Sequence, residues 1–306
     1  MKTNRIKILI PCLNEEKTVE KVIHDFKLHL PEAILHVFDN NSDDNSKKIA
    51  QSAGAIVHDV KYLGKGNVVR RMFADVEGDI FVMIDADDTY DISNIKNMIN
   101  TLEKESLDMI VAKRVSIEKS AYRFGHVFGN KIFSDLVKIT FGKQITDLFS
   151  GFRIFSKRFV KSFPGNSKGF EIETELTIHA LEQKLPVAEM DCNYRSRPLG
   201  SLSKLNTIQD GLRILKVILV LIKDERPLVF FSLLSLFFLI FSLVLGVPIF
   251  LNFIETGLVD KIPSAILSAI NMVIAFLSFF SGLILDVIKK TRHEMKRLHY
   301  LAIEKK

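Results

Sequence analysis

The chain has 306 residues, a formal net charge of +6 and two cysteines. This length accommodates one large domain plus an appendage, and two cysteines are too few for a disulfide framework. No apolar stretch typical of a secretory signal follows the N-terminus, so we expect the N-terminal part to stay in the cytoplasm with free thiols. The last eighteen residues hold seven Lys or Arg against two Glu, which suits an anionic membrane surface or nucleic acid.

Short apolar runs alternate with amphipathic stretches over about the first 115 residues. The runs that we predict to be buried strands are Ile6–Ile10, Ile34–Phe38, Ile56–Val57 and Ile80–Ile84. The stretches with helical spacing are Lys17–His29, Asp44–Ser52 and Asn67–Asp75, with Asn45 or Asn67 as candidate N-caps. This alternation predicts an α/β fold with a parallel sheet, in which ligands bind beyond the carboxyl ends of the strands.

Acidic residues follow the predicted strands at these ends. Asp39 comes after the second strand, and Asp85 and Asp87 come directly after the fourth. Two carboxylates placed so closely repel each other unless a cation lies between them. Mg²⁺ and Mn²⁺ prefer such oxygen ligands, bridge to phosphate oxygens and stabilise a departing nucleoside diphosphate. A solvated acidic turn is the alternative, and the buried strand before the motif favours the metal site.

Two long apolar runs predict membrane spans near the C-terminus. Leu228–Phe250 is about 34 Å long as a helix, enough to cross a bilayer, and Ala265–Val287 is a second run broken only by Asp286. A buried core helix is the alternative, which two runs of this length disfavour. Both outer flanks are basic, so the positive-inside rule places both ends in the cytoplasm. The stretch Thr207–Arg226 before them is amphipathic and suits the membrane interface.

Five segments in consistent order resemble family 2 glycosyltransferases. Ile10–Glu16 resembles the opening strand and loop of that family, Phe38–Asp43 its second acidic loop, and Asp85-Ala86-Asp87 its metal-binding motif. Asp147 to Arg153 and Arg197 to Lys204 resemble the later motifs of the polyprenyl-phosphate branch. That branch includes dolichol-phosphate mannose synthases and bacterial undecaprenyl-phosphate glycosyltransferases. The similarity covers about residues 6–206, and members of the branch also carry C-terminal spans.

The resemblance implies a GT-A, Rossmann-like nucleotide-sugar domain, an inverting mechanism and a divalent cation, Mg²⁺ or Mn²⁺. Carried over by position, the residues that bind the nucleotide sugar are Pro11, Leu13, Glu15, Asp39, Asp85, Ala86, Arg197 and Lys204. Asp85 and Asp87 hold the metal, and Thr89 stands where the family often has a Gln ligand. Leu13 stands where the family often has an aromatic residue. An aromatic side chain that stacks on the base is therefore not predicted at this position.

Transfer of a sugar to a lipid phosphate requires cations near the phosphates, whatever family the chain resembles. A lipid phosphate is already anionic, so it needs positioning against the donor more than deprotonation. Arg114 and Arg153 are the candidates for the acceptor phosphate, because Arg suits bidentate phosphate contacts. Gly64-Lys65-Gly66 lacks the spacing of a P-loop and predicts a turn over the donor, with Lys65 contacting phosphate.

The predicted catalytic residues are Asp87, Asp147 and Arg153. Asp147 acts as a base or orients Arg153, and we favour orientation because the acceptor has little proton to give up. Glu173 and Glu175, near a predicted helix start, are candidates to face the sugar.

These features predict a GT-A domain over residues 1–206, an amphipathic juxtamembrane helix over 207–227, a two-span hairpin over 228–288 and a basic cytoplasmic tail over 289–306. The predicted reaction transfers one sugar from a nucleotide diphosphate sugar to undecaprenyl or dolichyl phosphate, at the cytoplasmic face of a bacterial or archaeal membrane. A UDP-sugar is favoured over GDP-mannose. The partners are the donor, the lipid acceptor and the membrane, with no nucleic acid, and a homo-oligomer is left open.

Four other functions compete with this interpretation. Nucleotidyltransferases open with a Gly-rich basic loop, whereas Pro11 to Glu16 contains no Gly. Processive polysaccharide synthases carry a Gln-x-x-Arg-Trp signature, and the chain has no Trp. A non-catalytic membrane scaffold derived from a glycosyltransferase is disfavoured by the intact acidic and basic motifs. A transferase acting on a different membrane lipid stays open.

Overall fold

The computed structural model describes residues 5–116, 145–165, 168–169, 171–196, 220 and 223–304. The chain divides into two compact units. The first contains residues 1–211 together with 296–306, and the second contains residues 212–295. The first unit is therefore discontinuous in sequence.

One mixed sheet forms the centre of the first unit. Its strands in the described part of the chain are β1 (Ile6–Cys12), β2 (Ile34–Asp39), β3 (Ile56–Asp59), β4 (Ile80–Met83), β5 (Met109–Ser116), β6 (Arg153–Ser156) and β7 (Val187–Tyr194). Their order is β3-β2-β1-β4-β6-β5-β7. Only β6 runs against its two neighbours, β4 and β5, while the other pairings are parallel. The predicted α/β fold and all four predicted strands are confirmed.

Helices cover both faces of this sheet. They are α1 (Val19–His29), α2 (Ser46–Ser52), α3 (Lys65–Asp75), α4 (Ile95–Lys104), α5 (Lys157–Ser162) and α6 (Ile172–Glu182). Successive residues of a strand point to opposite faces, so Ile8 and Ile10 pack with α1, α2 and α4, whereas Leu9 packs with α3, α5 and α6. Strands covered on both faces are apolar throughout, which explains why β4 is buried at all four positions.

The helix starts differ in part from the prediction. Asn45 does precede α2, although its side chain makes no capping hydrogen bond. Asn67 was wrong as a cap, because α3 begins two residues earlier, after Gly64. Gly64 has a φ of 122°, and a Cβ there would lie 2.1 Å from the carbonyl oxygen of Lys168. A tertiary contact that only Gly permits thus sets the start of α3.

Two long apolar helices make up most of the second unit. They are α7 (Pro227–Thr256), with a mean hydropathy of 2.8, and α8 (Ile262–Ala302), with a mean hydropathy of 2.0 over its most apolar part. Both are candidate membrane spans by length and composition. Ser242 and Ser268 exchange hydrogen bonds between Oγ and carbonyl oxygen at 2.8 and 2.9 Å. Small and hydroxyl side chains of this kind let apolar helices approach closely.

The chain after residue 295 packs on the first unit. Helix α8 extends to Ala302, so most of the predicted basic tail is helical. Tyr300 is buried in the cluster formed by α3, α5 and α6, and its hydroxyl donates to Oδ2 of Asp108 at 2.8 Å. The Lys296 ammonium donates to Glu182 at 2.6 Å, and the Arg158 guanidinium lies 5.3 Å from the centre of the Tyr300 ring. The end of α8 is therefore an integral part of the first unit. Most of the predicted juxtamembrane helix lies outside the described residues.

We expect Tyr300→Ala to destabilise the first unit, because it removes a buried ring and a hydrogen bond to Asp108. The loss should be about 3 kcal/mol, seen as a lower unfolding temperature of the detergent-solubilised chain. Leu301→Ala is the matched control, since Leu301 is 53% exposed and should cost no more than about 0.5 kcal/mol. Equal unfolding temperatures for the two variants would contradict the docking of this segment.

Candidate active site

The two acidic residues after β4 lie at the carboxyl edge of the sheet. Asp87 is buried, and its Oδ1 accepts hydrogen bonds from the backbone N–H and the hydroxyl of Thr89, at 3.3 and 2.7 Å. Asp88, which lies between Asp87 and Thr89, has a φ of 54°, the left-handed conformation that permits this tight turn. The side chain of Asp85 is 27% exposed. The turn therefore holds the carboxylate of Asp87 through Thr89, whereas the side chain of Asp85 is partly exposed to solvent.

Lys65 joins Asp85 to a second acid on another element. Its ammonium lies 2.5 Å from Oδ1 of Asp85 and 2.6 Å from Oε1 of Glu173, which is in the first turn of α6. Burial by itself lowers the pKa of Lys65, but the charges of Asp85 and Glu173 raise it above its ordinary value. Burial also raises the pKa of Glu173, which Lys65 only partly offsets. Lys65 is thus a charged bridge between α3, β4 and α6.

The loop before β6 reaches the same carboxylate. A Cβ on Gly151 would lie 2.2 Å from Oδ2 of Asp85, so only Gly fits at this position without displacing the acid. The backbone N–H of Gly151 donates to the hydroxyl of Tyr90 at 2.8 Å. Tyr90 is buried, which raises the pKa of its hydroxyl and keeps it protonated. The Gly151 backbone and Lys65 therefore confine Asp85 from two directions.

Arg153 holds this loop from inside the protein. Its side chain is fully buried, and it donates to the carbonyl oxygens of Ser150 and Leu148 at 2.9 and 2.7 Å and to the hydroxyl of Thr177 at 2.8 Å. Burial lowers the pKa of Arg153 to about 10, which still leaves it charged at neutral pH. These contacts are those of a residue that positions a loop. The predicted catalytic and phosphate-binding roles of Arg153 stay predictions.

Asp147 forms its ion pair with Arg114 and not with the predicted partner, Arg153. Its carboxylate accepts from Nε and Nη2 of Arg114 at 2.8 and 2.7 Å, and from the Arg114 backbone N–H at 3.0 Å. The carboxylate of Glu189 on β7 accepts the backbone N–H groups of Thr146 and Asp147, at 2.7 and 3.0 Å. The Arg114 guanidinium lies 5.4 Å from the centre of the Tyr194 ring. A chain of contacts from Glu189 through Asp147 thus fixes the orientation of Arg114.

The loops after β1 and β2 form the other part of the site. Oδ2 of Asp39 accepts the Ser42 backbone N–H at 3.1 Å, whereas its buried Oδ1 has no hydrogen-bond partner among the described residues. Asn40 donates to the carbonyl oxygens of Val60 and Tyr62 and accepts the N–H of Gly64. The loop that carries Lys65 is therefore tied to the end of β2. An unsatisfied buried carboxylate oxygen is costly and suits an N–H or O–H donor on a ligand.

The predicted site residues that the structure describes gather at one edge of the sheet. Pro11, Leu13 and Glu15 follow the course of β1 into its loop, where Pro11 and Leu13 are half-buried and the Glu15 N–H donates to Ser46. Ala86 is buried between the two acids. Arg197 and Lys204 lie outside the described residues. The structure thus brings Lys65, Asp85, Gly151 and Glu173 together in one cluster, with Arg114, Asp147 and Glu189 in another.

A divalent cation fits the donor set at this edge. The ligands on offer are the carboxylates of Asp85 and Asp87, which are hard oxygen donors of the kind that Mg²⁺ and Mn²⁺ prefer. The Gly151 backbone lies close to the Asp85 carboxylate, since an added Cβ would lie 2.2 Å from Oδ2, and this limits the movement of the acid. Thr89 is engaged with Asp87 and orients that ligand.

The sequence profile of glycosyl transferase family 2 matches residues 7–163, just over half of the chain. The chain belongs to this family. The predicted resemblance is confirmed, and so is the GT-A fold.

Relatives of this family 2 glycosyltransferase extend the match beyond the profile. The glycosyltransferase AglJ of Haloferax volcanii is 28% identical over 302 residues, which cover 96% of this chain and 97% of that protein. The dolichol-phosphate mannosyltransferase of Pyrococcus furiosus is 24% identical over 220 residues, with 68% and 62% covered. Among solved structures, glucosyl-3-phosphoglycerate synthase of Mycobacterium tuberculosis with Mn²⁺, UDP-glucose and phosphoglyceric acid has a TM-score of 0.56 at 23% identity, covering 72% of this chain and 79% of that one.

Several residues at the site of this family 2 glycosyltransferase were not predicted from the sequence. They are Tyr90, Gly151 and Glu189. Tyr90 directly follows Thr89, so its closeness in sequence to Asp87 is the signal that points to it. Gly151 was seen as part of a motif, but its contact with Asp85 depends on the position of β6 beside β4. Glu189 stands in an ordinary strand pattern and gives no local signal.

We expect Gly151→Ala to displace Asp85, because the added Cβ overlaps its carboxylate. A ligand misplaced by about 1 Å can cost about 100-fold in rate, so sugar-transfer activity should fall by that order while the protein stays folded. Gly169→Ala is the control, since its Cβ would meet only the flexible carboxylate of Glu171. Activity within about threefold of wild type in Gly151→Ala would show that Asp85 needs no such confinement.

Proposed function

We propose that this family 2 glycosyltransferase moves a single sugar from a UDP-sugar to a polyprenyl phosphate, undecaprenyl or dolichyl, at the cytoplasmic face of a membrane. The observation that carries the proposal is the pair of charged clusters at one edge of the sheet. One contains Asp85, Lys65 and Glu173, and the other contains Arg114, Asp147 and Glu189. A transfer between two phosphate-bearing substrates needs such a cation on each side.

The donor side is the edge formed by β1, β2 and β4. Asp39 offers a buried carboxylate oxygen with no hydrogen-bond partner in the described structure, which suits the N–H of a base or a ribose hydroxyl. Lys65, in the loop tied to β2 through Asn40, would contact the diphosphate. The solved structure with UDP-glucose has the same fold, which supports a uridine nucleotide, whereas the guanine of GDP-mannose is the alternative base.

Asp85 and Asp87 would hold a divalent cation, Mg²⁺ or Mn²⁺. When bound, it would neutralise charge on the departing nucleoside diphosphate. The protein's own contribution is to orient its ligands: Thr89 fixes Asp87, and the Gly151 backbone confines Asp85. Mn²⁺ in the solved structure of the same fold is consistent with this assignment.

The acceptor side is the edge formed by β5 and β7. Arg114 is oriented by a bidentate contact with Asp147 and would meet the lipid phosphate. Two observations favour a lipid: the candidate membrane spans α7 and α8, and relatives named for dolichyl phosphate in Pyrococcus furiosus and human. In-line attack by an anionic phosphate needs orientation and charge balance. Asp147, already paired with Arg114, is better suited to orientation than to proton removal.

We expect a transfer assay with the full chain in nanodiscs to identify the donor. Undecaprenyl or dolichyl phosphate, Mg²⁺ or Mn²⁺ and labelled UDP- or GDP-sugars would be supplied, and label in the lipid fraction measured. Asp87→Asn should lower the rate about 100- to 1,000-fold, as losing a main electrostatic stabiliser does. Asp88→Asn is the matched control, because Asp88 pairs with Lys21 and Asn also tolerates a positive φ. It should stay within about threefold.

The pattern of label separates the competing functions. Label on lipid that depends on the metal and on Asp87 supports the proposal. Binding or hydrolysis of a donor without labelled lipid would reject the polyprenyl acceptor and favour a different membrane lipid. The absence of any donor binding would favour a non-catalytic scaffold.

We expect Arg114→Lys to weaken acceptor binding more than donor binding, because Lys cannot keep the bidentate contact with Asp147. The KM for polyprenyl phosphate should rise about tenfold, the cost of one lost charge-assisted hydrogen bond, with the KM for the donor changed by less than about twofold. Arg71→Lys, in a surface ion pair with Asp75, is the control and should leave both KM values unchanged. If the KM for the donor rose more than the KM for polyprenyl phosphate, Arg114 would belong to the donor site and the prediction would be wrong.

A further inference from the structure

We propose that Lys65 and Glu173 are positioning residues that link divalent-cation binding to donor binding. Lys65 competes with the cation for Asp85, and the diphosphate of the donor relieves this competition by drawing the ammonium away. The inference rests on the proposed donor and deepens it, since it assigns the residues that couple the binding of the two ligands.

The first step is the geometry of Lys65. Its ammonium is within 2.5 Å of one Asp85 oxygen and within 2.6 Å of one Glu173 oxygen. The Lys65 side chain is 10% exposed and that of Glu173 is 5% exposed. Little water reaches the cluster, so solvent screens these charges far less than at the surface. Lys65 is therefore a strong competitor for the Asp85 carboxylate.

The second step concerns two cations on one carboxylate. A divalent cation binds carboxylate oxygens at about 2.0–2.1 Å for Mg²⁺, closer than the ammonium does. An added Cβ on Gly151 would lie 2.2 Å from Oδ2 and 3.0 Å from Oδ1 of Asp85, so the Gly151 backbone is close to this carboxylate. A metal on Asp85 and the ammonium of Lys65 would lie beside the same small carboxylate and repel each other. Metal binding alone must displace the lysine or accept this repulsion.

The third step concerns where the ammonium goes. Lys65 is the first residue of α3, so its four-carbon side chain starts at a helix N-terminus, a place that favours phosphate. Glu173 is fixed in the first turn of α6 and stays within reach of Lys65. A diphosphate at this edge would replace Asp85 as the second anion around the ammonium. Glu173 would keep the lysine beside the donor, and Asp85 would become available to the metal.

The consequence is a reciprocal coupling between the two ligands. By thermodynamic linkage, UDP must strengthen metal binding by the same factor by which the metal strengthens UDP binding. Part of this factor would come from the attraction between the cation and the charged diphosphate. The part that comes from Lys65 should disappear when the ammonium is removed.

The test measures Mn²⁺ affinity of the full-length protein in detergent, from the electron paramagnetic resonance signal of free Mn²⁺, with and without UDP. Lys65→Met should bind Mn²⁺ alone at least about fivefold more tightly than wild type, the lower end of typical coupling factors. The further gain on adding UDP should be smaller than in wild type. Lys47→Met is the matched control, because Lys47 pairs with Asp59 on the surface, and it should change neither affinity.

A double variant separates competition from net charge and from misfolding. Lys65→Met with Glu173→Gln removes one positive and one negative charge, so the net charge of the cluster is kept and no extra buried carboxylate is left unpaired. It should also bind Mn²⁺ alone more tightly than wild type. Glu173→Gln alone should bind Mn²⁺ more weakly, because Lys65 then pairs only with Asp85.

Two results would overturn the inference. One is a Mn²⁺ affinity without UDP that is no tighter in Lys65→Met and in the double variant than in wild type. The other is a wild type whose Mn²⁺ affinity UDP does not change, which removes the link to the donor. If these measurements come out as expected but no sugar reaches the lipid, the coupling stands and the polyprenyl acceptor is rejected.

Discussion

Carboxylates crowded at the carboxyl edge of a sheet must be paired with cations, because buried like charges repel. The rest of this site depends on how the pairing is achieved. Lys65 pairs with both Asp85 and Glu173, and Arg114 pairs with Asp147. Each pair joins elements far apart in sequence, since α3, β4 and α6 meet at Lys65 and β5 meets the loop before β6 at Arg114. The charges that would serve the chemistry are therefore also the charges that hold the edge of the sheet together.

Backbone placement at the site relies on groups that never need to touch a substrate. Arg153 donates to two carbonyl oxygens of the loop before β6, and Glu189 accepts two of its N–H groups. Glu189 and Arg153 thus hold this loop at its two ends. Gly151 lies within the loop, close to the carboxylate of Asp85. Residues that position reacting groups in this way are as sensitive to change as the groups themselves.

The parts of the structure that depend on local sequence were predicted well. Strands β1, β2 and β4 are apolar runs whose carboxyl ends carry acids, so both the sheet and the place of Asp85 and Asp87 follow from the pattern. The partner of Asp147 was not predictable, because Arg114 lies 33 positions away and is brought close only by the insertion of β6 between β4 and β5. Glu189 was missed for the same reason. The start of α3 was missed because its position depends on a backbone contact with Lys168.

The end of α8 is part of the first unit, and this has a consequence for biosynthesis. Residues 296–306 belong to the same compact unit as residues 1–211, and they are synthesised after both apolar stretches. The apolar cluster that receives Tyr300 therefore cannot close until both apolar helices have been made. Assembly of the sheet can begin early, but completion of the unit must wait for the hairpin. A nascent chain arrested before the second apolar helix would expose the surface that Tyr300 covers, and cellular quality control would have a signal for incomplete synthesis.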